Sequence, residues 1–133
     1  MITDKIIKIA LDTKNYGLKN TCSHKATLKN NKCGDMIKIE IIVTKNNINN
    51  MRYEMEACIF CQATASLLSR KINIFKIKNI KKDVSLLKSK LKGSSAKLPT
   101  KLGMFNDIVS KKNIKSYDCI MLPFNALLKA LNI

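Results

Sequence analysis

The residues best suited to chemistry are four of the five cysteines and one aspartate: Cys33-Gly34-Asp35, Cys58-Ile59-Phe60-Cys61 and Cys119. Thiolate sulfur suits zinc and iron–sulfur clusters, while a carboxylate oxygen is a harder ligand that accepts a labile metal. Cys33, Cys58, Cys119 and Asp35 could therefore supply four ligands to one site. Gly34 permits a tight or positive-φ backbone, so a thiol and a carboxylate two positions apart can converge. Taken alone, Cys58-x-x-Cys61 would suggest a redox pair, but no βαβ pattern accompanies it and no Trp or Pro frames it. Positions three apart on a helix share a face, which makes Cys61 an auxiliary thiol or else a core residue. Cys22 has no partner motif and reads as a small buried hydrophobe. Asp118 could add an oxygen beside Cys119, against the plainer reading of a helix cap.

These residues fall at the ends of expected elements. Thr3 to Lys14 reads as a helix, capped by Thr3 or Asp4, with Ile6, Ile7, Ala10 and Leu11 at helical spacing. Cys22 to Asn30 suits a strand. Met36 to Thr44 alternates clearly, with Ile37, Ile39, Ile41 and Val43 on one face and Lys38 and Glu40 on the other. Lys45 to Asn50 reads as a polar turn, and Met51 to Ala57 as a third strand. Cys58 then opens a helix rich in Ala and Ser. Ile80, Val84, Leu87 and Leu91 mark another helix, Lys92 to Ala96 a loop, and Leu102 to Val109 a short helix. Cys119 to Leu131 is the closing helix, with Pro123 placed in its first turn. A helix N-terminus stabilises a thiolate, which favours Cys58 and Cys119 as activated thiols. The order predicts an α+β fold: a small three-stranded antiparallel sheet, one face wet, with helices packed on the other.

The 133 residues fit one domain, 1–133, and 46% apolar content is enough for a globular core. No apolar run approaches the ~20 residues that span a bilayer, and the N-terminus does not read as a signal peptide. A soluble, cytoplasmic protein is expected, with no membrane partner and with cysteines that bind metal rather than pair. The net charge of +16 points to an acidic partner, nucleic acid included, or simply to a composition rich in Lys, Asn and Ile. Arg70 to Lys101 carries ten Lys and one Arg against Asp83 alone. Its plain reading is a solvated helix face. Only 5% of residues are aromatic and no basic–aromatic stacking motif occurs, so a basic nucleic-acid-binding module is the remote alternative.

The motifs resemble the NifU N-terminal, IscU and SufU family of iron–sulfur cluster assembly scaffolds. Asn30-Asn31-Lys32-Cys33-Gly34-Asp35 fills the place of the family's Asn-Pro-x-Cys-Gly-Asp. Cys58-Ile59-Phe60-Cys61-Gln62-Ala63-Thr64-Ala65-Ser66 matches the Cys at the sheet-to-helix junction. Cys119-Ile120-Met121-Leu122-Pro123-Phe124 matches the Cys that opens the last helix. The resemblance implies a SufE/NifU-like fold and a scaffold, not an enzyme. It implies that Cys33, Asp35, Cys58 and Cys119 ligate iron or a nascent cluster, with the Asp keeping the site labile. The partners it implies are a cysteine desulfurase and acceptor apo-proteins. The long Lys-rich stretch is more similar to SufU, whose members hold zinc and accept persulfide sulfur, so a zinc-bound sulfur acceptor is the alternative. Two departures stand out: Asn31 replaces the motif's Pro, and Asp118 stands where IscU members place a His. The chain's own His24 lies in the first strand, as a solvated or supporting residue.

Overall fold

In the computed structural model, which describes residues 2–133, three strands form one antiparallel sheet in the order β1-β2-β3: β1 (His24–Lys29), β2 (Met36–Thr44) and β3 (Asn47–Glu56). The helices are α1 (Asp4–Leu11), α2 (Ile59–Arg70), α3 (Ile77–Leu91) and α4 (Tyr117–Leu131). Helices α2 and α4 pack against the sheet, α1 lies on α2, and α3 lies on α4. The architecture is the expected α+β arrangement.

The alternation of β2 sets the layers. Ile37, Ile39 and Ile41 are fully buried and face Leu28, Ala26 and His24 of β1 and Met55, Tyr53 and Met51 of β3. Burying each such side chain contributes roughly 1.5–3 kcal/mol. Nine of the twelve residues of α2 are buried, and its Ala63, Ala65, Ser66 and Ser69 are small enough to let neighbouring elements approach. Its buried hydroxyls are satisfied, two within the helix and one across to the end of α1: Thr64 donates to the Phe60 carbonyl, Ser69 to the Ser66 carbonyl and Ser66 to the Asp12 carbonyl. Asp83, the one acid of the Lys-rich stretch, is buried and paired with Lys101 at 2.8 Å.

Several boundaries differ from expectation. Helix α1 ends at Leu11, although Thr3 does cap it, accepting from the Ile6 N–H. The turn between β2 and β3 is only Lys45-Asn46, and Asn47 to Asn50 continue β3. A register shift between Ile42 and Val43 leaves Asn49 as an extra residue, and that irregular, polar stretch masks the strand in sequence. Cys22 precedes β1 and is half-buried. Residues 102–109 form a 3₁₀ turn over Thr100–Phe105 followed by further turns. A further 3₁₀ segment, Lys111–Ser116, runs directly into α4, so that helix starts at Tyr117. Pro123 is therefore the seventh residue of α4, beyond the first turn, and it leaves the Cys119 carbonyl without its i+4 donor.

The outer face of the sheet is only partly wet. The chain from α1 to β1 crosses it as a strap. Gly17 donates to the Tyr53 carbonyl at 2.7 Å along the β3 edge, and the Arg52 guanidinium donates to the carbonyls of Tyr16 and Gly17. Glu40, expected in solvent, is buried because it accepts from the Lys19 and Asn20 N–H groups.

Candidate metal centre

One end of the sheet gathers the chemistry. There β1 turns into β2 through Asn30–Asp35, β3 hands over to α2 at Ala57-Cys58, and α4 begins. In the first turn Gly34 has φ +77° and open space where a Cβ would stand, so conformation and not crowding demands glycine. Cys33 is exposed, and Asp35, two residues on, is buried at 8% exposure.

Cys33, Asp35 and Cys119 offer ligand atoms that all lie within 4.8 Å of one another. The Cys33 and Cys119 sulfurs are 3.7 Å apart. Cys58 adjoins this group without belonging to that tight set. Its backbone N–H donates to Asp35 Oδ2 at 3.4 Å, and its thiol interacts with that of Cys119. Cys58 is the N-cap residue of α2, and its side chain makes no capping bond, which leaves the thiol available. The sheet end thus brings together two soft sulfur donors and one carboxylate, with a third thiol beside them.

Helix-start position does not activate Cys119. It is the third residue of α4, and burial pushes its thiol pKa up, followed by hydrogen bonding with Asp35, Cys58 and Cys33. The expected thiolate stabilisation by the helix dipole is outweighed. In the metal-free protein this thiol is protonated at neutral pH, and a metal would have to displace that proton.

The auxiliary residues separate. Cys61 is fully buried in the core, and desolvation pushes its thiol pKa up strongly. Asp118 lies in the first turn of α4 and is not its N-cap, which is Ser116. Its carboxylate faces Lys32 at 3.5 Å, so an ion pair links the residue before Cys33 to the residue before Cys119. His24 is half-buried, with Nδ1 2.9 Å from the Ser23 hydroxyl. Two participants escaped sequence reasoning as individuals: Lys32, through this pair, and Asn30, through the turn it closes. Asn followed by polar residues and Gly signals a turn, but not which bonds close it.

The model of the NifU-like N terminal domain matches residues 1–124. The chain belongs to that family. No curated protein matches it in sequence. Among solved structures, a NifU-like protein (N-terminal) from Brucella abortus superposes with a TM-score of 0.79 at 15% identity, over 98% of this chain and 91% of that one. A protein of thermophilic Fervidobacterium islandicum AW-1, described as a putative iron–sulfur cluster assembly scaffold for the SUF system, superposes with a TM-score of 0.86 at 19% identity. That match covers 98% of this chain and 96% of the other. At these identities the two structures speak to the fold of this NifU-like chain. No described helix is long and apolar enough to cross a membrane.

Proposed function

We propose that this NifU-like chain is a cytoplasmic scaffold for iron–sulfur cluster assembly. Its cargo is iron or a nascent cluster, held by Cys33, Cys58 and Cys119 with Asp35 as the fourth ligand. The observation that carries the reading is the convergence of the Cys33, Asp35 and Cys119 ligand atoms within 4.8 Å at one end of the sheet. The donor set fits the cargo: sulfur ligands bind iron well, and the single carboxylate oxygen provides a weaker bond through which a cluster can leave. Cys33 is exposed, which gives a partner access to the site. A cysteine desulfurase supplies the sulfur, and acceptor apo-proteins take the finished cluster. The scaffold itself turns nothing over.

The second reading is a zinc-bound sulfur acceptor similar to SufU. The long Lys-rich segment between α2 and α4, which holds α3 and three 3₁₀ turns, favours it. Here a thiolate of the site attacks the outer sulfur of the desulfurase persulfide. A new persulfide forms on this chain, and the desulfurase thiolate leaves. The two readings differ in what the pocket retains. Metal analysis of the purified protein, then anaerobic reconstitution with iron and sulfide, separates them. A brown cluster chromophore that disappears in Cys33→Ala supports the scaffold. Tight zinc with no chromophore overturns it in favour of sulfur transfer.

A further inference from the structure

The turn bearing Cys33 and Asp35 closes on a single residue, Asn30. Its backbone N–H donates to the Asp35 carbonyl at 2.7 Å, and its carbonyl accepts from the Gly34 N–H at 2.8 Å. Its side-chain Oδ1 accepts from the Lys32 N–H at 3.0 Å. The first two bonds tie the ends of the turn and belong to the backbone. The third is the side chain's own, an Asx turn that fixes the path of the chain into Cys33. The other half of the amide, Nδ2, is shielded from water and has no hydrogen-bond partner among the described residues. The acceptor bond to Lys32 is therefore the only hydrogen bond the Asn30 side chain makes with them.

That bond matters because it acts next to Cys33 itself, adding to the backbone bonds that close the turn and to the Lys32–Asp118 ion pair. Cys119 is carried by a helix and Cys58 caps one, whereas Cys33 stands exposed on a loop. Packing cannot hold an exposed thiol in one direction, so its approach to Cys119 depends on the shape of the turn. We propose that Asn30 is a positioning residue for the metal centre. Through Oδ1 it sets the path that brings the Cys33 sulfur against Cys119 and Asp35. The inference rests on the ligand assignment proposed above and adds to it a residue that never touches the cargo. Supporting groups of this kind typically change metal affinity about 10–100-fold when removed.

The test uses the full chain and two probe metals: zinc, titrated against a chelator, and cobalt(II), whose visible spectrum reports thiolate ligation. Asn30→Ala should weaken zinc binding about tenfold or more and reduce the cobalt–thiolate charge-transfer intensity. Asn30→Asp keeps the Oδ1 acceptor, replaces the unbonded Nδ2 with a carboxylate oxygen and adds a negative charge, so it should bind more tightly than Asn30→Ala, in high salt as well as in low. Asn31→Ala, exposed in the same turn, should match the parent. Parent-like affinity and spectrum in Asn30→Ala would overturn the proposal, as would Asn30→Asp binding no better than Asn30→Ala. If Asn30→Ala does not fold, Asn30→Asp decides: near-parental affinity supports the Oδ1 role, and a tenfold loss refutes it. A parent protein that binds neither metal through thiolates brings down the ligand assignment itself, a different result from an intact site indifferent to Asn30.

Discussion

Cys119 has to change state to do what is proposed for it. Its thiol is held protonated by burial and by contact with Asp35, Cys58 and Cys33, yet only the thiolate ligates metal. Metal uptake must release that proton. Zinc affinity is therefore expected to rise with pH, about tenfold per pH unit for each proton displaced. Titration calorimetry in buffers of different ionisation enthalpy would count the protons, and a pH-independent affinity would contradict the picture. The metal-free protein has the matching sensitivity. A thiol whose pKa is raised on folding contributes stability below its ordinary value of 9.0, and that contribution is lost as pH rises beyond it. Asp35 calls for a different experiment. Asp35→Ala removes the oxygen ligand and leaves the Cys58 N–H without its acceptor, a loss of about 1–3 kcal/mol in stability. A reconstituted cluster should nevertheless persist longer in this variant, followed by the decay of its visible absorbance in the presence of a chelator. Faster decay than in the parent would refute the labile-ligand role.

Among the elements, those with one clean period were legible. Strand β2 follows its apolar alternation from Met36 to Thr44, and α3 follows Ile80, Val84, Leu87 and Leu91. The misses have physical causes. Asn47 to Asn50 look like a turn by composition, but pairing with β2 through a bulge makes them strand. Pro123 marks an early position only if the helix starts at Cys119, and the preceding 3₁₀ segment moved that start back to Tyr117. Nothing local predicted the strap across the outer sheet face, because its anchors, Glu40 and Arg52, are far away in sequence. For the candidate site, spacing put Cys33, Asp35, Cys58 and Cys119 at element ends. Which face of α2 Cys61 occupies was decided by packing: it lies in the core. The turn before β2 is testable as an element. Gly34 has φ +77°, and no neighbouring atom crowds the place where a methyl group would stand. Gly34→Ala should therefore cost about 1–2 kcal/mol in backbone strain alone. That corresponds to a fall of roughly 4–7 °C in Tm for a chain of this size, measured by calorimetry. An unchanged Tm would mean the turn relaxes without cost.

Encounters of the whole molecule with its partners are governed by a net charge of +16, and the fold decides which cations reach solvent. Both arginines are engaged internally: Arg52 clamps the strap, and Arg70 pairs with Asp12 at 3.2 Å. The only acid between residues 70 and 101, Asp83, is buried against Lys101. What α3 and its flanks present is therefore lysine, including Lys71, Lys78, Lys81, Lys82 and Lys97. At the start of α4, Lys92 lies over the Tyr117 ring, 5.2 Å from its centroid. Lysine is a hydrated point charge without the planar fork that reads phosphate in two bonds, and the one aromatic residue between 70 and 101, Phe75, is buried and offers bases no platform. Such a surface attracts polyanions by counterion release, without sequence preference. Binding to a single-stranded RNA oligonucleotide at low salt should accordingly weaken steeply with ionic strength and be lost at moderate salt. Cys33→Ala should leave it unchanged, because the metal centre has no part in it. Fluorescence anisotropy across a salt series checks both points. Tight RNA binding that survives moderate salt, with a preference for one sequence over another, would mean that the basic surface is a recognition site in its own right and would displace the scaffold reading as the account of this chain's charge.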